Sequence, residues 1–371
     1  MRVLFIVQGE GRGHMTQAIT LAEALRRNGH EVVEVLVGKS KSRKLPSFFR
    51  KRINAPIKQF ESPNFLPTPA NKRNNLPRSV AYNVLHLYRY ASSIWFLYKR
   101  IKETKADVVV NFYELLTGIT YLLFSPEVPQ VSIGHQYLFL HSDFKFPKTS
   151  RIELFSLRLF THITCLGAKE RLALSFRQME DDPENKVVVV PPLLRSDVLS
   201  LKSSKGDYLH GYMVNSGFGE SVMRWHTNNP STPLNFFWDK KDADTTQKVD
   251  ETLTFHQLDD KLFLDSMANC KAYATTAGFE SVCEAMYLGK PIMMVPAHIE
   301  QDCNAYDAAS CGAGIVSPDF DIDRLLIFAD NYKPDPQFRV WAENGGSRIA
   351  ASLEKVVSGY GINRAMSLHA S

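Results

Sequence analysis

Cysteine is scarce: five residues in 371, none in a Cys-x-x-Cys pair, which excludes a disulfide scaffold and fits reduced thiols. No uninterrupted run of about 18 apolar residues occurs, so no segment is expected to span a membrane. The opening run Val3–Val7 is too short for a signal peptide and no small-residue cleavage site follows it. A soluble, cytoplasmic protein is expected. Acidic residues are nearly missing from one stretch, where positions 36–105 carry 16 basic side chains against 2 acidic ones. That imbalance suits an anionic surface, such as nucleic acid, a phosphorylated acceptor or an anionic bilayer. No recognised nucleic-acid motif accompanies it, so no specific nucleic acid partner is expected.

What is present is apolar enough for a core, at 44% hydrophobic and 22% charged residues, and the length predicts two domains. Val3–Val7 reads as a strand buried on both faces, Gly9–His14 as a turn, and Thr16 as a helix N-cap. Ala18, Leu21, Ala22 and Leu25 recur at helical spacing, Asn28-Gly29 stops the helix, and Glu31–Val37 resumes as a strand. Lys39–Arg78, with six prolines, reads as a long loop with short helical pieces. Ser79–Lys105 reads as an aromatic-rich helix, and Asp107–Phe112, Gln130–Ile133 and Lys186–Val190 as further strands. A second α/β pattern begins near Asp207. It runs through strand Tyr208–Val214, the glycine turn Asn215–Gly219, strands Leu234–Trp238, Lys271–Thr275 and Pro291–Pro296, and a closing helix Phe338–Val357. Two domains, 1–200 and 201–371, are expected, joined near Leu193–Lys205, with the final helix crossing back to the first.

Phosphate-binding signatures fail on inspection. GxGxxG needs a third glycine where His14 stands, an acidic residue about 20 positions on is replaced by Gly38-Lys39, and no GxxxxGK[ST] occurs. What Gly9, Gly11 and Gly13 do provide is a close turn that delivers an imidazole to a helix start. His14 is the candidate general base, a role that typically contributes about 10²–10⁴ in rate. A carboxylate on its far nitrogen would fix the tautomer, and Glu114, at the end of strand Asp107–Phe112, is the candidate. His135 stands at another strand end and adds a polar group to the same rim. The plainer alternative, glycines that serve only a turn and a histidine that only caps backbone, stays open.

The segment Thr275–Ala305, TTAGFESVCEAMYLGKPIMMVPAHIEQDCNA, resembles the donor-binding segment of GT-B glycosyltransferases, notably plant UDP-glycosyltransferases and the peptidoglycan N-acetylglucosaminyltransferase. GRGHMTQAITLAEALRRNGHEV, from Gly11, resembles their acceptor-side opening. The resemblance implies an α/β fold of two Rossmann-like parallel-sheet domains facing a cleft, with a nucleotide-diphosphate sugar, expected to be a UDP-sugar, in the second. Gly278 and Ser281 at a helix start would hold phosphate, and Glu284 the ribose diol. Glu300 and Gln301 match the pair that holds sugar hydroxyls; Gly217 and Gly219 would form another phosphate-facing loop, and Gln257 would lie near the base. Gly11, Gly13 and His135 would face the acceptor, which could be lipid-linked or a glycan. Three departures stand out: Thr276 replaces a phosphate-contacting His, Glu280 replaces Asn, where a carboxylate repels a diphosphate unless it points away, and the spacing from Gln257 to Thr276 is longer than in the family.

The retaining Glu-x7-Glu pattern ending at Glu284 has Thr276 at its first position, so inversion is expected. No metal or cofactor is expected, since a helix N-terminus can stabilise the leaving diphosphate. The Asp242-x-Asp244 and Asp319-x-Asp321-x-Asp323 sequences read as solvated loops. An epimerase of the same architecture and a non-catalytic sugar-nucleotide binder are the alternatives. The basic stretch 36–105 is a candidate surface for an anionic membrane.

Overall fold

Alternation along the first strand shows how the core is organised. In β1 (Arg2–Gln8), Val3, Phe5 and Val7 enter one apolar cluster while Leu4 and Ile6 enter another, and none of the five is exposed. A strand buried on both faces sits at the centre of a sheet covered by helices on each side. The computed structural model describes residues 1–40, 45–63, 82, 87–214, 216–238 and 244–369. Arg43, Lys44, Pro67, Pro69, Pro77, Asn215 and Asp242 lie outside the described residues.

The first half follows β1 with α1 (Arg12–Arg27), β2 (Glu31–Lys39), α2 (Ser47–Arg52) and β3 (Ile57–Glu61). Next come α3 (Ala91–Glu103), β4 (Val108–Phe112), α4 (Leu115–Phe124), β5 (Gln130–Gly134), α5 (Arg151–Thr164), β6 (Ala168–Leu174) and β7 (Val187–Val190). Its sheet is parallel throughout, in the order β3-β2-β1-β4-β5-β6-β7. The second half carries α6 (Ser196–Ser200), β8 (Leu209–Met213), α7 (Gly219–Asn228), β9 (Leu234–Trp238), β10 (Thr246–Lys248) and β11 (Leu253–Gln257). It continues with α8 (Asp260–Asn269), β12 (Ala272–Thr275), α9 (Phe279–Tyr287), β13 (Ile292–Met294), α10 (Ile299–Ser310) and β14 (Gly314–Val316). Its sheet runs β10-β11-β9-β8-β12-β13-β14, parallel except for the edge strand β10. Three helices close the chain: α11 (Ile322–Asn331), α12 (Pro336–Glu343) and α13 (Gly345–His369).

Each sheet reverses its strand order once, between β1 and β4 and between β8 and β12, and ligands of such sheets bind beyond the strand C-termini at that reversal. The halves meet there. The His135 ring stacks on Phe279 at 4.1 Å between centroids, Arg177 pairs with Asp307, and the Trp341 indole N–H donates to the Ser175 carbonyl at 3.0 Å. The closing helix α13 packs on α1, β6 and β7 of the first half.

Several sequence expectations need correction. Helix α1 begins at Arg12 with Gly11 as its N-cap, so Thr16 lies inside the helix and His14 in its first turn. The supposed loop Lys39–Arg78 contains the edge strand β3, paired with β2. The expected closing helix is two helices, and strands β6, β10, β11 and β14 were not foreseen. Asp321 caps α11 by accepting the Arg324 N–H, and Asp319 accepts from Ser221, so these aspartates are structural rather than merely solvated.

Candidate active site at the cleft

At the first reversal point, the chain leaves β1 into α1 and leaves β4 into α4. Tyr113 makes the second turn in the left-handed region, at φ 60°, a conformation that costs a non-glycine residue about 1–3 kcal/mol and is kept where a site needs it. The turn lays the Tyr113 ring against the His14 imidazole, 5.4 Å between centroids and 27° from parallel. His14 is 8% exposed, and burial pushes its imidazole down to about 4. It is therefore neutral at pH 7, with one nitrogen free of a proton.

The partners of that imidazole are amides. Nδ1 lies 3.3 Å from Gln17 Oε1, and Nε2 lies 3.4 Å from Gln136 Nε2. Glu114, the expected partner, points elsewhere: its Oε1 accepts from the Ser62 hydroxyl at 2.5 Å and from the Leu116 N–H at 3.2 Å, capping α4. Its Oε2 is buried without a hydrogen-bond partner, and burial pushes its carboxyl up to about 7. Glu114 caps a helix because its backbone stands at the N-cap, from which its carboxylate turns toward Ser62 and Gly38 and away from His14. His135 is also no rim group. Its Nδ1 is held by the Leu174 carbonyl at 2.7 Å and its ring is packed between the halves against Phe279 and Phe176.

At the second reversal point, Ala277 turns the chain with φ 61°, and Gly278 N-caps α9. The free N–H groups of that first turn point into the cleft, with Ser281 beside them. Ser281 Oγ donates to the Gly278 carbonyl at 3.1 Å. Glu284, one turn further, is 3% exposed, and Arg195 grips its Oε1 with Nε at 2.7 Å and a second guanidinium nitrogen at 2.6 Å. Burial pushes the Glu284 carboxyl up while Arg195 pulls it back down. Glu280 lines the cavity and reaches across the cleft to Gln17 of the first half, and an added Cβ at Gly13 would strike its carboxylate. Its hydrogen bond with Gln17 occupies Oε1 of a carboxylate that still stands at the cavity wall. Glu300 accepts from Gln136 Nε2 at 2.9 Å, and burial pushes its carboxyl up to about 7. Gln301 Oε1 accepts the Ala297 N–H at 2.9 Å.

Between these walls lies a cavity of about 180 Å³. Gly13 reaches it from the first half, and Gly278, Ser281, Glu284 and Gln301 from the second. Two cations that sequence reading missed also line it: Arg12, which reaches Asp260 at 3.5 Å, and Arg195. Gly11, His14, Glu300, Gly217, Gly219 and Gln257 are not among the lining residues. Gly219 abuts Trp238, and on these sides Tyr212, Val214 and Leu258 make the wall. Among the described residues, no cluster of three His, Cys, Asp or Glu side chains could hold a metal ion, and no helix is long and apolar enough to cross a membrane.

A cleft cavity of mixed charge, set between two Rossmann-like sheets with a neutral imidazole behind Gly13, has a counterpart among known families. The family model of glycosyl transferase family 1 matches residues 1–332. The chain belongs to that family. It is a glycosyltransferase of the GT-B type. Solved structures similar to this glycosyltransferase include that of the kitacinnamycin glycotransferase, at 16% identity over 95% of this chain and 98% of that chain, TM-score 0.63. UGT71G1 of Medicago truncatula, complexed with UDP-glucose, is 14% identical over 97% of this chain and 98% of that one, TM-score 0.62. The calicheamicin glycosyltransferase CalG4 is 14% identical over 96% and 98%, TM-score 0.61. At such identities the likeness is one of fold. No curated protein matches this glycosyltransferase by sequence.

Proposed function

We propose that this glycosyltransferase takes a UDP-sugar in the cavity at the start of α9 and transfers the sugar with inversion, His14 acting as the base. One observation carries the reading: Gly13, next to the imidazole, and Gly278 and Ser281 at the helix start line the same cavity. The N–H groups of α9, with Arg12 and Arg195, would hold the diphosphate and stabilise it as it leaves, so that no metal is needed. Both Arg195 bonds fall on Glu284 Oε1, and Oε2 is the atom that a ribose hydroxyl would reach. Glu300 and Gln301 would take the sugar hydroxyls. Inversion is supported at Thr276: the position of the first retaining glutamate holds a hydroxyl that accepts the Val214 N–H at 3.2 Å. UDP-glucose is the donor to try first, because the Medicago structure contains it.

A melting-temperature screen tests this. UDP at 100 times its Kd should stabilise the protein by about 2.7 kcal/mol. His14→Ala should keep that stabilisation and lose donor turnover. No response to UDP, or full turnover by His14→Ala, refutes the reading. Conversion of the donor with no acceptor present assigns an epimerase instead, and binding with no turnover assigns a sugar-nucleotide binder.

The acceptor side carries a second observation. Trp95 is 48% exposed and Leu122 and Leu123 are each 61% exposed, with Phe124 stacked on Tyr98 and Lys99 and Lys102 lying over the Trp95 and Tyr98 rings. We propose that this face, with the basic stretch 36–105, seats the enzyme on an anionic membrane that holds a lipid-linked acceptor. Aromatics in the interface and about 1 kcal/mol per nearby cation would supply the affinity.

A further inference from the structure

The four polar contacts around His14 form a chain with only one consistent direction. Glu280 and Glu300 come from the second half, Gln17 and Gln136 from the first, and the imidazole sits between the two glutamines. An ionised carboxylate accepts hydrogen bonds and donates none, whereas a carboxamide has one end that donates and one that accepts. Glu280 therefore draws the NH2 of Gln17 toward itself and turns Gln17 Oε1 to His14 Nδ1. An amide oxygen can only accept, so Nδ1 must carry the proton. On the other side, Glu300 draws the NH2 of Gln136, whose second hydrogen points at His14 Nε2 at 3.4 Å. An amide N–H can only donate, so Nε2 must present its lone pair. Gln136 Oε1 is left buried with no hydrogen-bond partner, the cost of holding that orientation.

We infer that Glu280 and Glu300 act as positioning residues that set the tautomer of His14 from across the cleft, Nδ1–H with Nε2 basic, through the amide orientations of Gln17 and Gln136. The direct carboxylate that a His-acid pair would use is replaced by two glutamine relays. The base takes its working form only while the two halves are in contact, because each relay begins on one half and ends on the other. Nε2 is covered by a long amide contact that a substrate hydroxyl can displace. The inference deepens the proposed function, since it rests on His14 as the base.

Nitrogen-15 NMR of histidine-labelled protein reads the tautomer directly and needs no substrate. At pH 8, above the value of about 7 to which burial pushes Glu300, that carboxylate is ionised; burial raises the Glu280 carboxyl as well, and its hydrogen bond from Gln17 pulls it back down. The His14 resonances, identified by their loss in His14→Gln, should show a pyrrole-like Nδ1 and a pyridine-like Nε2. Glu280→Gln frees the Gln17 amide to turn over, and Gln17→Leu removes it. Each should move the His14 Nδ1 shift toward the pyridine-like value and leave the other histidines in place. The swap Gln17→Glu with Glu280→Gln keeps an acceptor on Nδ1, so it should restore the wild-type pattern and raise the imidazole pKa. A wild-type protein with Nε2–H, or single variants whose His14 shifts do not move, overturns the inference. The two readings fail separately. An Nδ1–H tautomer in a protein with no donor turnover removes the transfer mechanism and leaves the relays, while His14-dependent turnover with Nε2–H removes the relays alone.

Discussion

Arg195→Leu removes the cation that compensates a carboxylate buried beside the cleft cavity. Glu284 is 3% exposed and both of its Arg195 bonds fall on one oxygen, so the variant leaves that oxygen without a counter-ion. Breaking a buried pair from one side costs about 3–5 kcal/mol. In a domain of this size that is a fall in Tm of roughly 10 °C. The loss should also depend on pH. Without Arg195, the Glu284 carboxyl titrates further above its ordinary value of 4.5, so the native state binds a proton that the unfolded chain has released. Stability of the variant then falls as pH rises through that interval, by about 1.4 kcal/mol per unit, and levels off above the folded value. The deficit is smallest near pH 4.5. Urea unfolding of wild type, Arg195→Leu and Arg195→Leu/Glu284→Gln between pH 5 and pH 8 checks this. The double variant should recover most of the loss and flatten the pH dependence. A single variant that loses less than about 0.5 kcal/mol, as a surface change would, or loses the same amount at every pH, refutes the argument.

Because burial holds the His14 imidazole near 4, the acid limb of kcat/KM should fall only below about pH 5, and a limb centred near pH 6.5 would show the base to be solvated. Glu114, pushed up to about 7 by burial, destabilises the native state as pH rises from 4.5 toward 7. The Tm of Glu114→Gln minus that of wild type should therefore grow from pH 5 to pH 8, and a constant difference contradicts it. Sedimentation with anionic liposomes at low salt should be lost in Trp95→Ala/Leu122→Ser/Leu123→Ser and weakened by salt in wild type; binding unchanged in the triple variant excludes that face.

The two sheets were legible because their central strands are written as apolar runs, Val3–Val7 and Val108–Val110 among them. The edge strand β7 was legible for the same reason, but the edge strands β3, β10 and β14 and the interior strands β6 and β11 were not. In β3 only Phe60 is buried, and β14 has three residues, too few for a periodicity to register. The helix start of α9 and the imidazole of α1 were legible as motifs, since glycines and a histidine at a strand end have chemical meaning. The glutamines were invisible. An amide has no titration and no fixed spacing, and Gln17 meets Glu280 across 263 residues of sequence. Glu114 misled for a related reason: a carboxylate at a strand end reads as a partner for a base, but the next residue begins a helix whose free N–H groups claimed it first.

The cavity of about 180 Å³ is smaller than the roughly 300–1,000 Å³ typical of sites for ligands of drug size. Under the proposed function, a nucleotide sugar would have to part the two lobes to fit within it. The contact that yields first is Arg12 to Asp260, at 3.5 Å with both side chains about one-third exposed, an attraction worth only about 0–1 kcal/mol. The stacked rings of His135 and Phe279 and the α13 packing hold the opposite side. A ligand entering from that side would meet a weak latch at the lips of a cleft whose other contacts are aromatic and helical packing.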